Sequence, residues 1–389
     1  MNASAPGAPD LDLATSPHPL AFVSAAGRPV AGDERTRRET TLRCEVMGLG
    51  RFQKEGLVED TTTGRVWRLV ADEGTYLGGT GLAPAPLQHW GAGLHADVTT
   101  RIAALAAAEG VTLSRLEVTV TQGFASQGSF ARGEAVGLVF DLTWDIRVES
   151  AAPADRVDAV VRRALATSPA NAAMARTSEG TFALTTNGRP TIVSGLPASR
   201  GDRQADPFLT HADRPVPVDT ETAPVDVLTA HPGGGGTATL SDDQTGAVAW
   251  HVHATGEYDF GSDLVAVTVG FPEAAGDRWR LVVDPGNRCA PSPLTYFAVG
   301  VAFCYHTQLC RYADVRRLSI TRPRLVQVST HLADDTTAET LPLDTHLFLR
   351  GDIDEDQTRS LLVAAANTCY AHRALGTDVT TRLTTTVTA

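Results

Sequence analysis

The hydrophobic and polar positions of the chain fall into one order of segments, and that order is then written a second time. Residues 67–74 read WRLVADEG and residues 279–286 read WRLVVDPG. Each is followed by a Gly/Pro/Ala loop and an apolar run opened by a proline, Pro86 or Pro293. Proline suits the first turn of a helix, where its missing N–H would have no partner, so each run predicts a long helix. Within these runs Pro86, Leu87, Trp90 and Gly93 answer to Pro293, Leu294, Phe297 and Gly300. Strand-like runs follow, RLEVTVTQG from Arg115 and RLVQVSTHL from Arg324. Next come GLVFDLTWDIRVE from Gly137 and LPLDTHLFLRG from Leu341, whose period-two alternation predicts half-buried strands. A helix with an acidic start comes after each, from Ala154 and from Asp354, as the positive end of a helix dipole favours. A Thr-rich strand closes each half, GTFALTTNG and DVTTRLTTTV.

Strands, long helix, strands, helix, strand: each half reads as an α+β unit. The expected organisation is an extended or disordered tail over 1–39, a first domain over 40–195, a Pro/Gly/Asp/Thr-rich linker over 196–240 that includes HPGGGG, and a second domain over 241–389. Two copies of one unit can pack about a pseudo-twofold axis, as homodimers do about a true one.

Composition narrows the function. The 389 residues are 42% hydrophobic and 20% charged, an ordinary globular mixture. A formal net charge of −12 argues against nucleic-acid binding, which needs a basic face. No apolar run is long enough to span a bilayer, and the N-terminal residues lack the basic and apolar regions of a signal peptide. Cysteines are five, an odd number and few for the length, which fits a reducing cytoplasm better than a disulfide framework.

PSPLTYFAVGVAFC, ending at Cys304, and AANTCYAHRAL, around Cys369, resemble the two cysteine-bearing helix segments of the OsmC/Ohr family, the osmotically inducible protein C and organic hydroperoxide resistance proteins. The order of elements is similar as well, over roughly residues 40–190 and 245–389. The resemblance implies two OsmC-like domains in tandem forming an intramolecular pseudo-dimer. It also implies a thiol-dependent reduction of organic hydroperoxides, with Cys304 as peroxidatic thiolate, Cys369 as resolving cysteine and a dithiol as reductant. No cofactor, metal, nucleic acid or membrane enters this reading, and further homo-oligomers are left open.

The chain departs from the family pattern in two ways. Where hydroperoxide-reducing members carry a glutamate that steers an arginine onto the thiolate, this chain has Leu294. In the first half Asp97 stands in place of Cys304, and Ser168 in place of Cys369. One thiol site and one degenerate site are therefore expected. Cys304 lies too far along its helix for the dipole alone to lower its pKa, so a cation must be supplied. Arg280 and Arg288 are candidates from the same half, Arg65 and Arg68 from the other, and His372 shares a helix face with Cys369. His306, two residues from Cys304, faces elsewhere on a helix. Cys44, Cys289 and Cys310 read as structural. His251 and His253 share a strand face that would suit a metal, but no third ligand is evident. Trp90, Tyr296, Phe297 and Phe303 are the expected apolar walls of a substrate pocket. The rival reading is a non-peroxidatic protein that binds a small apolar or thiol-bearing molecule in the interdomain cleft. A thiol transfer or a hydrolysis is a third.

Overall fold

The computed structural model describes residues 12–27, 39–50, 52–175, 177–213, 215–218, 226–233, 243–244, 250–274 and 276–389. Most of the expected N-terminal tail and most of the glycine run of the linker lie outside these residues.

Two large sheets hold the described strands. The first runs β1 (Ala21–Ala25), β4 (Arg65–Ala71), β3 (Gln53–Asp60), β2 (Glu39–Gly50), β15 (Arg324–Ala333), β17 (Asp344–Leu349), β7 (Thr181–Thr186) and β8 (Arg189–Thr191), with β16 (Ala338–Thr340) beside β15. The second runs β19 (Thr381–Thr388), β6 (Val136–Glu149), β5 (Arg115–Ser129), β11 (Trp250–Asp259), β12 (Leu264–Gly270), β13 (Arg278–Val283) and β9 (Leu228–His231), with β10 (Asp243–Gln244) beside β5. Short strands β14 (Ser319–Ile320) and β18 (Gly351–Asp352) form a separate pair. Each large sheet draws strands from both halves of the sequence: β2 pairs antiparallel with β15, and β11 with β5. Each also takes up one parallel strand across the halves, β7 on β17 and β19 on β6.

Helices α1 (Pro86–Ala108) and α5 (Pro293–Val315) lie between the sheets, α5 on the first and α1 on the second, and pack against each other. Both open on proline. Ser292 caps α5 by accepting the Thr295 N–H, and the Gln88 side chain accepts the Ala85 N–H at the start of α1. The helices cross at glycine. A Cβ added at Gly93 would lie 2.3 Å from the Phe297 nitrogen, and one at Gly300 would lie 2.4 Å from that of Trp90. Trp90, Tyr296, Phe297 and Phe303 are fully buried at this crossing, with His89 5.8 Å from the Tyr296 ring and 5.5 Å from Phe303. They form packed core between the helices rather than the walls of an open pocket, because glycine lets the two backbones close on them.

The outer helices are α2 (Ala154–Thr167), α3 (Pro169–Ala175), α6 (Glu355–Thr368) and α7 (Tyr370–Leu375). Asp354 and Gln357 form a capping box at the head of α6. Two segments read as tail and linker are tied to the first sheet. Residues 21–25 are its edge strand β1. The linker contains α4 (Phe208–Ala212), whose fully buried His211 bonds Glu55 at 2.8 Å, while Asp206 holds the Arg324 guanidinium at 2.6 and 3.0 Å. No described helix is long and apolar enough to cross a membrane.

Candidate functional site

Cys304 and Asp97 stand equally far from the prolines that open α5 and α1. Cys369 ends α6 and caps α7, its sulfur accepting the His372 N–H at 3.4 Å. Ser168 sits in the same way between α2 and α3, where its Oγ accepts the Asn171 N–H at 3.1 Å. In the second half Cys369 lies near enough to Cys304 for the two groups to interact electrostatically. In the first half the Ser168 hydroxyl donates to Asp97 Oδ2 at 2.5 Å, and the Ala170 N–H joins it at 3.0 Å. The fold thus brings both pairs together, and only the atoms differ.

Both thiols are free and buried. Burial holds the Cys369 pKa well above the usual thiol value, the neighbouring Cys304 pushes it further, and the amides of His372 and Ala371 pull it back. Cys369 is therefore protonated at neutral pH. Burial also raises the Asp97 carboxyl, against the pull of Arg101, Ser168 and Ala170.

The sequence candidates for a cation do not meet the thiols. Arg68 bonds Glu55 at 2.7 Å and the Pro19 carbonyl at 3.1 Å. Arg280 faces Thr268 and Thr229 across β13, and Arg288 is 74% exposed beside Asp284. Arg65 reaches the Arg288 carbonyl at 2.5 Å. His306 bonds the Pro323 carbonyl at 3.0 Å, and burial together with the charge of Lys54 lowers its pKa to about 3, so it is neutral. His372 packs on Phe182 and Tyr305 with both ring nitrogens buried and unpartnered, and burial takes it down to about 4.

A buried cation near Cys304 is Lys54, a residue that the sequence pattern did not single out. It lies on β3, both of whose faces are covered, and its side chain is 0% exposed. Nζ donates to Thr307 Oγ1 at 2.6 Å, and Thr307 donates to Glu73 Oε1 at 2.7 Å. Glu73 lies 3.9 Å from Nζ and also accepts the Tyr76 hydroxyl at 2.6 Å. Thr307 is one turn past Cys304 and one turn before Cys310 on α5, so the ammonium stands against the helix face between the two sulfurs. Burial lowers the lysine pKa; the charges of Glu73, Cys310, Asp72 and Cys304 oppose that shift. The sequence signal was misleading. QKEGLVED looks like a strand with one wet face, and only the arrival of α5 and the linker buries both.

The remaining cysteines are placed structurally. Cys44 is buried in β2, its thiol pushed up to about 12 by burial, and Cys310 reaches about 12 for the same reason while contacting His306 Nδ1 at 3.6 Å. Cys289 donates to Asp284 at 3.3 Å. His251 bonds Glu273 at 2.6 Å and His253 bonds Thr121 at 3.0 Å. No group of three metal-ligating side chains occurs among the described residues.

An open cleft lies over the Asp97 pair. It is lined by Asp97, Thr100 and Arg101 of α1, Ser292, Pro293 and Leu294 at the head of α5, Pro169, Pro285, and strand residues that include Asp60 and His331.

Residues 285–384 match the model of the OsmC-like protein family. A solved structure, an OsmC-like hydroperoxide resistance protein from Jannaschia sp. CCS1, aligns at 22% identity over 40% of this chain and 98% of that chain, with a TM-score of 0.26. No curated protein matches the chain.

Proposed function

We propose that the chain is an OsmC-like thiol-dependent redox protein that reduces organic hydroperoxides through Cys304 and Cys369. The observation that carries this reading is the proximity of Cys304 and Cys369, far apart in sequence, through which Cys304 raises the Cys369 thiol. A Cys304 thiolate, favoured by the Lys54 ammonium, attacks the distal oxygen of the O–O bond. The bond breaks, the alkoxide leaves as an alcohol after taking a proton, and Cys304 becomes a sulfenic acid. The neighbouring Cys369 condenses with it to a disulfide and releases water. The hydroperoxide has gained two electrons and the thiols have lost two; a small dithiol returns them by exchange.

The two halves act as a fused pair, with a cytoplasmic location expected for reduced thiols. Supporting the pairing, β4-β3-β2-β15-β17-β7 and β13-β12-β11-β5-β6-β19 are the same sequence of counterparts, read from the first and second halves in turn. Asp97 and Ser168 then occupy the degenerate thiol positions.

The test is stoichiometric. One equivalent of cumene hydroperoxide is added to reduced protein and the thiols are mapped by mass spectrometry. A Cys304–Cys369 disulfide is expected. Intact thiols, or a Cys304→Ser variant that consumes hydroperoxide as fast as the parent, sink the reading. The second reading, a non-peroxidatic binder of a small apolar or thiol-bearing molecule, is favoured by the burial of Cys304, which is 3% exposed. Ligand binding that survives alkylation of both thiols would support it.

A further inference from the structure

A second cavity opens where loops of both halves meet at the head of α1. It encloses about 350 Å³, within the range of small-molecule sites, and no cysteine is among its described lining residues. Three aromatic side chains are: Tyr76 from the loop after β4, Phe271 just past β12, and Trp279 of β13.

The Tyr76 and Phe271 rings lie 5.4 Å apart with their planes at 78°, two walls at nearly a right angle. The Tyr76 hydroxyl donates to the buried Glu73 carboxylate at 2.6 Å, so what Tyr76 offers the cavity is its ring, made more electron-rich by that bond. A Cβ added at Gly276 would sit 3.7 Å from Tyr76 Cδ1, so the backbone there passes close to the ring. The next residue is Asp277, the one charged side chain in the described lining. Its Oδ1 accepts the Gly233 N–H at 3.1 Å, and no cation pairs with it among the described residues. The neutral donors nearby are spent elsewhere. Gln88 gives its side-chain protons to the Val269 and Asp277 carbonyls at 3.1 and 3.0 Å, its Oε1 takes the Ala85 N–H at 2.8 Å, and Pro86 has no N–H. The Thr80 hydroxyl donates to Asp72 at 2.5 Å. An anion would therefore meet a carboxylate and no cation. Aromatic faces beside one carboxylate suit a cation whose charge is spread over apolar groups.

We infer that this cavity binds a small alkylated ammonium ion. Its methyl groups lie against Tyr76, Phe271 and Trp279, and Asp277 balances its charge at the exposed mouth. A bare ammonium would give up strong bonds to water for walls that accept few in return, and a neutral molecule of the same shape gains no attraction from the ring faces or the carboxylate. The formal net charge of −12 favours the approach of a cation over that of an anion. The inference concerns binding alone and does not rest on any reactivity of Cys304.

Calorimetric titration of the full chain with choline, with its neutral carbon analogue 3,3-dimethylbutanol and with ethanolamine tests it. Choline should bind at least about tenfold tighter than either of the others. Phe271→Leu should weaken choline about tenfold, and Asp277→Asn, at an exposed position, about two- to threefold. Choline that binds no tighter than its neutral analogue, no binding of choline at millimolar concentration, or binding unchanged in either variant overturns the inference. Phe271 is buried, so if Phe271→Leu fails to fold, the ligand series and Asp277→Asn still decide.

Discussion

Lys54 makes a demanding test of the interior. Its ammonium is wholly buried, 3.9 Å from Glu73 and hydrogen-bonded to Thr307. At that separation and an effective dielectric of about 20, opposite charges attract by about 4 kcal/mol. Removing one partner of such a pair strands the other and costs about 3–5 kcal/mol. Glu73 would keep the Tyr76 and Thr307 hydroxyls, which places the expected loss near the lower end. Lys54→Met should therefore destabilise the chain by about 3 kcal/mol in urea melts. Adding Glu73→Gln to it should return about 2 kcal/mol, since the uncompensated charge is then gone. The same substitution removes the cation from the α5 face that carries Cys304. Iodoacetamide labelling of Cys304 at pH 7.5 should slow by about tenfold, the equivalent of about 1.4 kcal/mol. If Lys54→Met melts with the parent, or if the double variant is less stable than the single one, the ion-pair account of this cluster is wrong. If stability falls as expected while labelling of Cys304 is unchanged, the lysine is structural and the proposed thiolate lacks its cation.

Four further outcomes are expected. Cys369→Ser should leave the first oxidation intact and stop the second, so that hydroperoxide leaves Cys304 as a sulfenic acid trapped by dimedone; a protein disulfide that still forms would show another resolving thiol. Gly300→Ala should cost more than the usual overpacking range of about 1–3 kcal/mol, because the added methyl would meet the Trp90 backbone at 2.4 Å and helices α1 and α5 must part; a melt within about 0.5 kcal/mol of the parent would rule out the close crossing. His372→Phe should stabilise by about 1–2 kcal/mol, since both ring nitrogens are buried without partners between aromatic neighbours; a loss of stability, or a collapse of thiol reactivity, would restore His372 as a functional group. Stability should fall on acidification: His89, His95, His331 and His372 are held near 4 by burial against an ordinary value of 6.5, so the folded state binds fewer protons than the unfolded one between those values. Their contribution is fully present above about 6.5 and is lost as pH falls toward 4, and a urea midpoint that stays flat across that window would refute it.

What the sequence shows and what it conceals divide along one physical line. Pro86 and Pro293, the acidic helix start at Asp354 and the alternation in residues 137–149 are local signals, and each marks an element found where it was expected. The meeting of Cys304 with Cys369 was legible because a family resemblance placed both residues, not because spacing did. Lys54 was not legible. Its neighbours in sequence describe an exposed strand, and its burial is decided by α5 lying on β3, a contact between residues some 250 positions apart. His211 was hidden for the same reason: a linker composition says nothing about which sheet the segment will lie against. The Asp97 position shows the opposite error. Judged by the thiol it lacks, it reads as a remnant. Judged by its surroundings, it lies at an open cleft that strands and helices from both halves of the chain combine to build.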